Sequence, residues 1–151
     1  MQTRREMLAG SAAVAAALIA AGVLPAQAQT AWNKAAFDAK AIDDVLKALG
    51  AAKPVESKDV TLGAPDIAEN GAVVPISASS SLPDVKRLVF LVEKNPTTLA
   101  GVFDFTDAVE TSVKTRIKMG QTSNVYAVVK AADKYYVATK EIKVTLGGCG
   151  G

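Results

Sequence analysis

The chain has 151 residues, 50% of them hydrophobic, with 17 Lys plus Arg against 15 Asp plus Glu, no histidine and a single cysteine. Without histidine there is no Ser-His-Asp or Cys-His catalytic unit, no imidazole base and no His-rich zinc or copper site. One cysteine permits no internal disulfide. A formal charge of +2 is too balanced to argue for nucleic acid or an acidic membrane surface, and the length suits one domain, or a small domain with a tail.

Residues Thr3-Arg4-Arg5-Glu6-Met7-Leu8 set two adjacent arginines before an alanine-rich apolar stretch that ends at Leu24. Pro25-Ala26-Gln27-Ala28 follows, with small residues at Ala26 and Ala28 in the A-x-A pattern of a signal-peptidase site. Residues 1–28 therefore read as an export signal of twin-arginine (Tat) type, with Met7 where phenylalanine is more usual. Paired arginines also occur in ordinary secretory signals, so the Tat and Sec routes both stay open. A membrane anchor is the alternative for this stretch, but its alanines are weakly hydrophobic and the cleavage site follows at once. The signal contains no cysteine to carry a lipid. Cleavage after Ala28 takes 28 of the 151 residues and leaves 123 beginning at Gln29; Arg4, Arg5 and Glu6 go with them, so the mature net charge is +1.

From Thr30 to Leu49, Trp32, Ala36, Phe37, Ala41, Val45, Leu46 and Leu49 recur at intervals of three and four, which predicts one amphipathic helix within 29–50. Thr30 is its expected cap, and Gly50 with Pro54 its expected end. Beyond Pro54 short segments rich in Val, Ile, Thr and Tyr alternate with Pro, Gly, Asn and Asp, the punctuation of strands. We expect strands near 58–62, 72–79, 85–93, 98–105, 109–119, 123–132 and 134–146, and from them a mainly β, immunoglobulin-like sandwich over 51–146. Val113, Thr115, Ile117 and Met119 interleave with Ser112, Lys114, Arg116 and Lys118, as in a strand with one wet face. The run Val85 to Glu93 is nearly continuously apolar and should be covered on both faces. A turn is expected at Ala132-Asp133-Lys134.

Two charged groupings invite a functional reading. The cations at 114, 116 and 118 fit a solvated strand face better than a ligand site. Asp104, Asp107 and Glu110 could be carboxylates for acid-base work or calcium, but loop-edge acids are common and nothing else converges on these. No metal or cofactor is called for.

The chain closes with Leu146-Gly147-Gly148-Cys149-Gly150-Gly151, its one thiol flanked by two glycines on each side. Glycine costs backbone order, so a strand should not continue here, and 147–151 is expected to be a flexible arm. Three residues carry Cys149 about 10 Å beyond Leu146 when extended. A thin arm of this kind could enter a narrow channel in another protein. It supplies no base and no ordered pocket, so chemistry on its sulfur must come from whatever it enters. Two other readings remain open: an incidental tail, and an exported structural or interaction module whose cysteine forms an intermolecular disulfide.

The terminal Gly-Gly-Cys-Gly-Gly, the Tat-type signal, the segment Ala64-Pro65-Asp66-Ile67-Ala68-Glu69-Asn70-Gly71-Ala72-Val73-Val74-Pro75-Ile76 and the Glu93-Lys94-Asn95-Pro96 turn together resemble the SoxY family, the sulfur-carrier subunits of the periplasmic thiosulfate-oxidising Sox system. The resemblance implies a carrier without catalysis of its own. Cys149 would be the covalent attachment point and Gly147, Gly148, Gly150 and Gly151 its arm. It further implies a tight complex with SoxZ, transient work with SoxXA and SoxB and in some organisms a sulfane dehydrogenase, an immunoglobulin-like fold, and export to the periplasm. Asp66 to Val74 has no role that the residues alone assign, although Pro and Gly bracket a loop there.

Overall fold

The computed structural model describes residues 33–51, 53–106 and 108–145, all within a unit that begins at Asn33. The predicted signal, Thr30 and Trp32 at the head of the expected helix, and the whole Gly147–Gly151 arm lie outside the described residues.

Where one helix was expected there are two, α1 (Lys34–Asp38) and α2 (Ile42–Ala48). Asn33 caps α1 through its side-chain oxygen, which accepts the Ala36 amide at 3.0 Å. The apolar spacing runs through without interruption, yet Ala39 and Ala41 take extended backbone angles. The break comes from tertiary contacts. The Lys40 carbonyl accepts the hydroxyl of the buried Thr98 at 2.8 Å, and the Lys40 ammonium donates to the Pro96 carbonyl at 2.6 Å. Asn33 Nδ2 reaches the Ala48 carbonyl at 2.7 Å and ties the start of α1 to the end of α2. Gly50 ends α2 as expected: its φ of +70° lets its amide reach the Lys47 carbonyl while Ala51 bonds back to Leu46, the six-to-one pattern that closes helices on glycine.

All seven expected strands are present: β2 (Val60–Gly63), β4 (Val74–Ser80), β5 (Val85–Val92), β6 (Leu99–Asp104), β7 (Ser112–Ile117), β8 (Ser123–Ala131) and β9 (Lys134–Val144). Two further strands, β1 (Val55–Glu56) and β3 (Ile67–Ala68), are two residues long and lie parallel to β9. The larger sheet runs β1-β9-β8-β5-β6 with β3 also on β9, and the smaller is β2-β4-β7. The β8–β9 turn takes Ala132 at φ +49° and lies where the sequence put it.

The sheets close on each other as an immunoglobulin-like sandwich. Val74, Ile76 and Ala78 of the small sheet meet Leu88, Phe90, Val92, Val125, Ala127, Val129 and Ile142 of the large one. Phe90 and Phe103 pack edge to face at 6.0 Å. On the opposite side of the large sheet, Val89, Leu91, Val128 and Val137 pack against Ala36, Val45 and Leu46 from the helices. β5 is thus buried from both sides, which is why its sequence reads as a continuous apolar run rather than an alternation. On β7, Ile117 is buried while Lys114 and Arg116 face outward, so the alternation there reports a one-sided strand.

Candidate functional site

Gly147, Gly148, Cys149, Gly150 and Gly151 lie outside the described residues, so what the structure describes is the ground from which the arm departs. That ground is the far end of β9. The Thr145 amide donates to the Ala68 carbonyl at 3.1 Å and the Lys143 amide to that of Asp66 at 3.0 Å. On the other side of the strand the Val144 amide donates to Thr122 Oγ1 at 3.0 Å. The last described residues of the chain are held from both flanks.

The segment 66–74, for which sequence reasoning found no role, supplies one of these flanks. β3 pairs Ile67 with Lys143 and Ala68 with Val144. The chain then turns at Asn70, whose side-chain oxygen accepts the Ala72 amide at 2.9 Å. Gly71 is wedged at the centre: its carbonyl accepts the Met119 amide at 2.7 Å. A Cβ on Gly71 would stand 2.4 Å from the Met119 carbonyl oxygen and 2.9 Å from Val144 Cγ1. Only glycine admits so close an approach, which makes it the link between β9, the 66–74 segment and the end of β7.

The Glu93-Lys94-Asn95-Pro96 turn reaches the same end of the sandwich. Asn95 donates through Nδ2 to the Lys118 carbonyl at 2.6 Å and accepts the Gly120 amide at 3.2 Å. The Lys94 amide donates to the buried Ser123 hydroxyl at 3.0 Å. Two of the segments that carried the sequence resemblance, far apart along the chain, therefore converge on the loop 118–122 and the end of β9. Gly71, Asn95, Thr122 and Ala68 are the residues that sequence reasoning missed as parts of one site. For Gly71 and Asn95 the only signal was membership of those two segments.

Chemically this end is a mounting. Glu93 accepts from Asn124 Nδ2 at 2.9 Å and from the Tyr126 hydroxyl at 3.4 Å. Partial burial, and then the nearby Glu93 charge, raise the Tyr126 pKa above its ordinary value. Among the described residues no group of His, Cys, Asp and Glu side chains could hold a metal ion. Of the carboxylates considered from sequence, Asp104 is engaged by Arg87, at 2.5 Å from Nε and 3.1 Å from Nη2. That bond is the main reason the Arg87 pKa is raised. Glu110 is exposed, and Asp107 lies outside the described residues. Lys114, Arg116 and Lys118 stand exposed along one side of β7 and its continuation.

The fold and this mounting define an immunoglobulin-like β-sandwich whose final strand is clamped immediately before a cysteine-bearing terminus. Residues 45–149 match the family model of the sulfur oxidation protein SoxY, and the chain belongs to the SoxY family. Among solved structures, the chain resembles the sulfur carrier protein SoxY from Chlorobium limicola f thiosulfatophilum, with 33% identity over 69% of this chain and 94% of that one and a TM-score of 0.62. A superoxide reductase (neelaredoxin) from Ignicoccus hospitalis shares the fold at 19% identity and a TM-score of 0.52, over 66% of this chain and 87% of that one. Comparison with curated protein sequences found no match.

Proposed function

We propose that the protein is a periplasmic sulfur carrier that holds thiosulfate-derived intermediates covalently on Cys149 and presents them to separate enzymes. The observation that carries this reading is the family match, which runs through the arm and ends on Cys149, together with a solved relative described as a sulfur carrier. The absence of histidine from the whole sequence and the mounting at residues 143–145 agree with a protein that positions a thiol and leaves the chemistry to others.

The reaction sequence balances with the enzymes that the resemblance implies. Oxidative joining by a haem partner of SoxXA type takes a thiol and thiosulfate to Cys149 Sγ–S–SO3⁻, releasing one proton and passing two electrons to the haems. Hydrolysis by a SoxB-type enzyme adds water and releases sulfate and a proton, leaving Cys149 as a persulfide. A sulfane dehydrogenase, where present, oxidises the remaining sulfur before a final hydrolysis. In this proposal a SoxZ subunit is the constant partner, the protein has no catalysis of its own, and Tat export carries the folded pair to the periplasm.

The test is the intact mass of the mature protein from cells growing on thiosulfate, before and after reduction, with the terminal peptide fragmented. A reducible addition on Cys149 equal to a thiosulfonate or persulfide supports the carrier. A bare thiol, or only a disulfide to another chain, overturns it and favours a cross-linking module.

A further inference from the structure

The outward face of the three-stranded sheet has a charge distribution that a merely solvated surface does not require. Its outward positions are Thr61 and Gly63 on β2, Pro75, Ser77 and Ser79 on β4, and Ser112, Lys114 and Arg116 on β7, with Lys118 continuing the row. The opposite positions of the same strands, Val60, Val74, Ile76, Ala78 and Ile117, are in the core. Between Thr61 and Lys118 this face carries three cations, and the carboxylates that continue its rows, exposed Asp59 before β2 and exposed Glu110 before β7, stand at the ends of the strands away from Lys118. Among the described residues none of the three cations is ion-paired, although the protein carries almost as many acids as bases.

The face is also concave. Register places Gly63 beside Ser77 and Ser77 beside Lys114, with Pro75 beside Arg116. These residues line a shallow hollow of about 430 Å3. Its floor is kept low by Gly63, where a Cβ would meet Ser77 Oγ at 2.5 Å. The hollow thus offers two cationic side chains, a hydroxyl and small neutral residues to an anion.

The arm starts at one end of the cationic row. Gly71 lies between Val144 and Met119, so Lys118 sits close to where the chain leaves β9. Lys118, Arg116 and Lys114 then recede along β7 in steps of about 7 Å. From Thr145 to Cys149 is four residues, a reach of about 14 Å, to which the cysteine side chain and its bound group add. That reach is about twice the spacing of about 7 Å from Lys118 to Arg116 along the strand. We infer that this face of the small sheet, through Lys118 and Arg116 and on toward Lys114 and Ser77, is the docking site for the anionic sulfur group carried on Cys149. The inference rests on the carrier reading. Single exposed ion pairs are weak. A tether of this length, however, holds the group at a local concentration on the order of millimolar, enough for a weak site to be occupied. Docking would shield the thiosulfonate between encounters and release it to a partner that binds it more strongly. The neutral free thiol would leave the face empty.

Purified mature protein, with its SoxZ-type partner where the two copurify, is loaded chemically. Cys149 thiolate attacks tetrathionate at a sulfenyl sulfur, forming Cys149 Sγ–S–SO3⁻ and releasing thiosulfate. Amide resonances of the loaded and free-thiol forms are then compared. The expected result is a shift at Ser77, Arg116 and Lys118. The shift should disappear in Arg116→Glu/Lys118→Glu and in about 1 M salt, where screening falls to about 3 Å, and should persist in Arg116→Lys. Unchanged core methyl resonances in each variant exclude loss of fold as the cause. Shifts confined to residues around 143–145, or shifts that survive double charge reversal, overturn the inference. Because loading is chemical, this result is independent of whether cellular protein carries sulfur, and failure of docking is distinguishable from failure of the carrier reading.

Discussion

The Thr145 amide donates to the carbonyl of Ala68 at 3.1 Å, so the last residue described before the cysteine-bearing terminus is tied to a two-residue strand that pairs with the end of β9. A free-ended strand frays; this one is fixed at its last turn outward.

Gly71 is the weak link at that end of β9. Gly71→Ala places a Cβ against the Met119 carbonyl oxygen and Val144 Cγ1, at 2.4 and 2.9 Å, and a backbone oxygen cannot rotate away. We expect a loss of about 1–3 kcal/mol in denaturant unfolding, the range of overpacked sites. Faster exchange of the Met119 and Thr145 amides should accompany it. Gly120→Ala, where nothing lies within 4 Å, is the control and should change stability by less than about 0.5 kcal/mol.

Thr98→Val tests the origin of the helix break. The substitution keeps the shape of a fully buried side chain but removes the donor to the Lys40 carbonyl. A buried acceptor left without its partner costs about 1–3 kcal/mol. Unfolding should show that loss, and amide exchange in 39–45 should quicken. No change would mean that 39–41 is extended for another reason.

What was legible in the sequence follows from this contrast. Val113 to Met119 announced its faces because one side is core and the other water. Val85 to Val92 announced burial on both sides. The division of the helix was hidden because the spacing from Ala36 to Val45 stays helical, and Thr98, which pulls Lys40 out of register, is distant in sequence. The strands β1 and β3 were hidden because two residues carry no periodicity; the edge of β9 dictates them. The 66–74 segment was recognisable by its residues, yet its task depends on Val144 and Met119, which no local reading connects to Gly71.

The Tyr126 hydroxyl offers a pH readout at the sheet face beside α2. Its pKa is raised first by burial and then by Glu93. The folded state therefore holds this proton more tightly than the unfolded chain, whose value is near 10.0. The stability that this provides is fully present below that value and is lost as pH rises through the folded pKa. Tyrosinate absorbance should show Tyr126 titrating above an ordinary tyrosine. Glu93→Gln should lower its midpoint while leaving it above the ordinary value, because burial is the larger cause. A midpoint unmoved by Glu93→Gln would remove Glu93 as a contributor.

Cys149→Ser separates carriage from folding. The serine hydroxyl forms no sulfur–sulfur bond, so neither tetrathionate in the tube nor thiosulfate metabolism in the cell should leave any sulfur addition on the arm. Thiosulfate oxidation by cells relying on this protein should fall to background. Stability should stay within about 0.5 kcal/mol, because the buried members of both core clusters lie between residues 36 and 142. Copurification with a SoxZ-type partner should also persist, since a sandwich with its own two-sided core does not need the thiol to present a surface. If the variant folds yet supports normal thiosulfate oxidation, Cys149 is not the carrier. If it loses its partner as well as its sulfur, the thiol has a structural part in the complex that a carrier does not require.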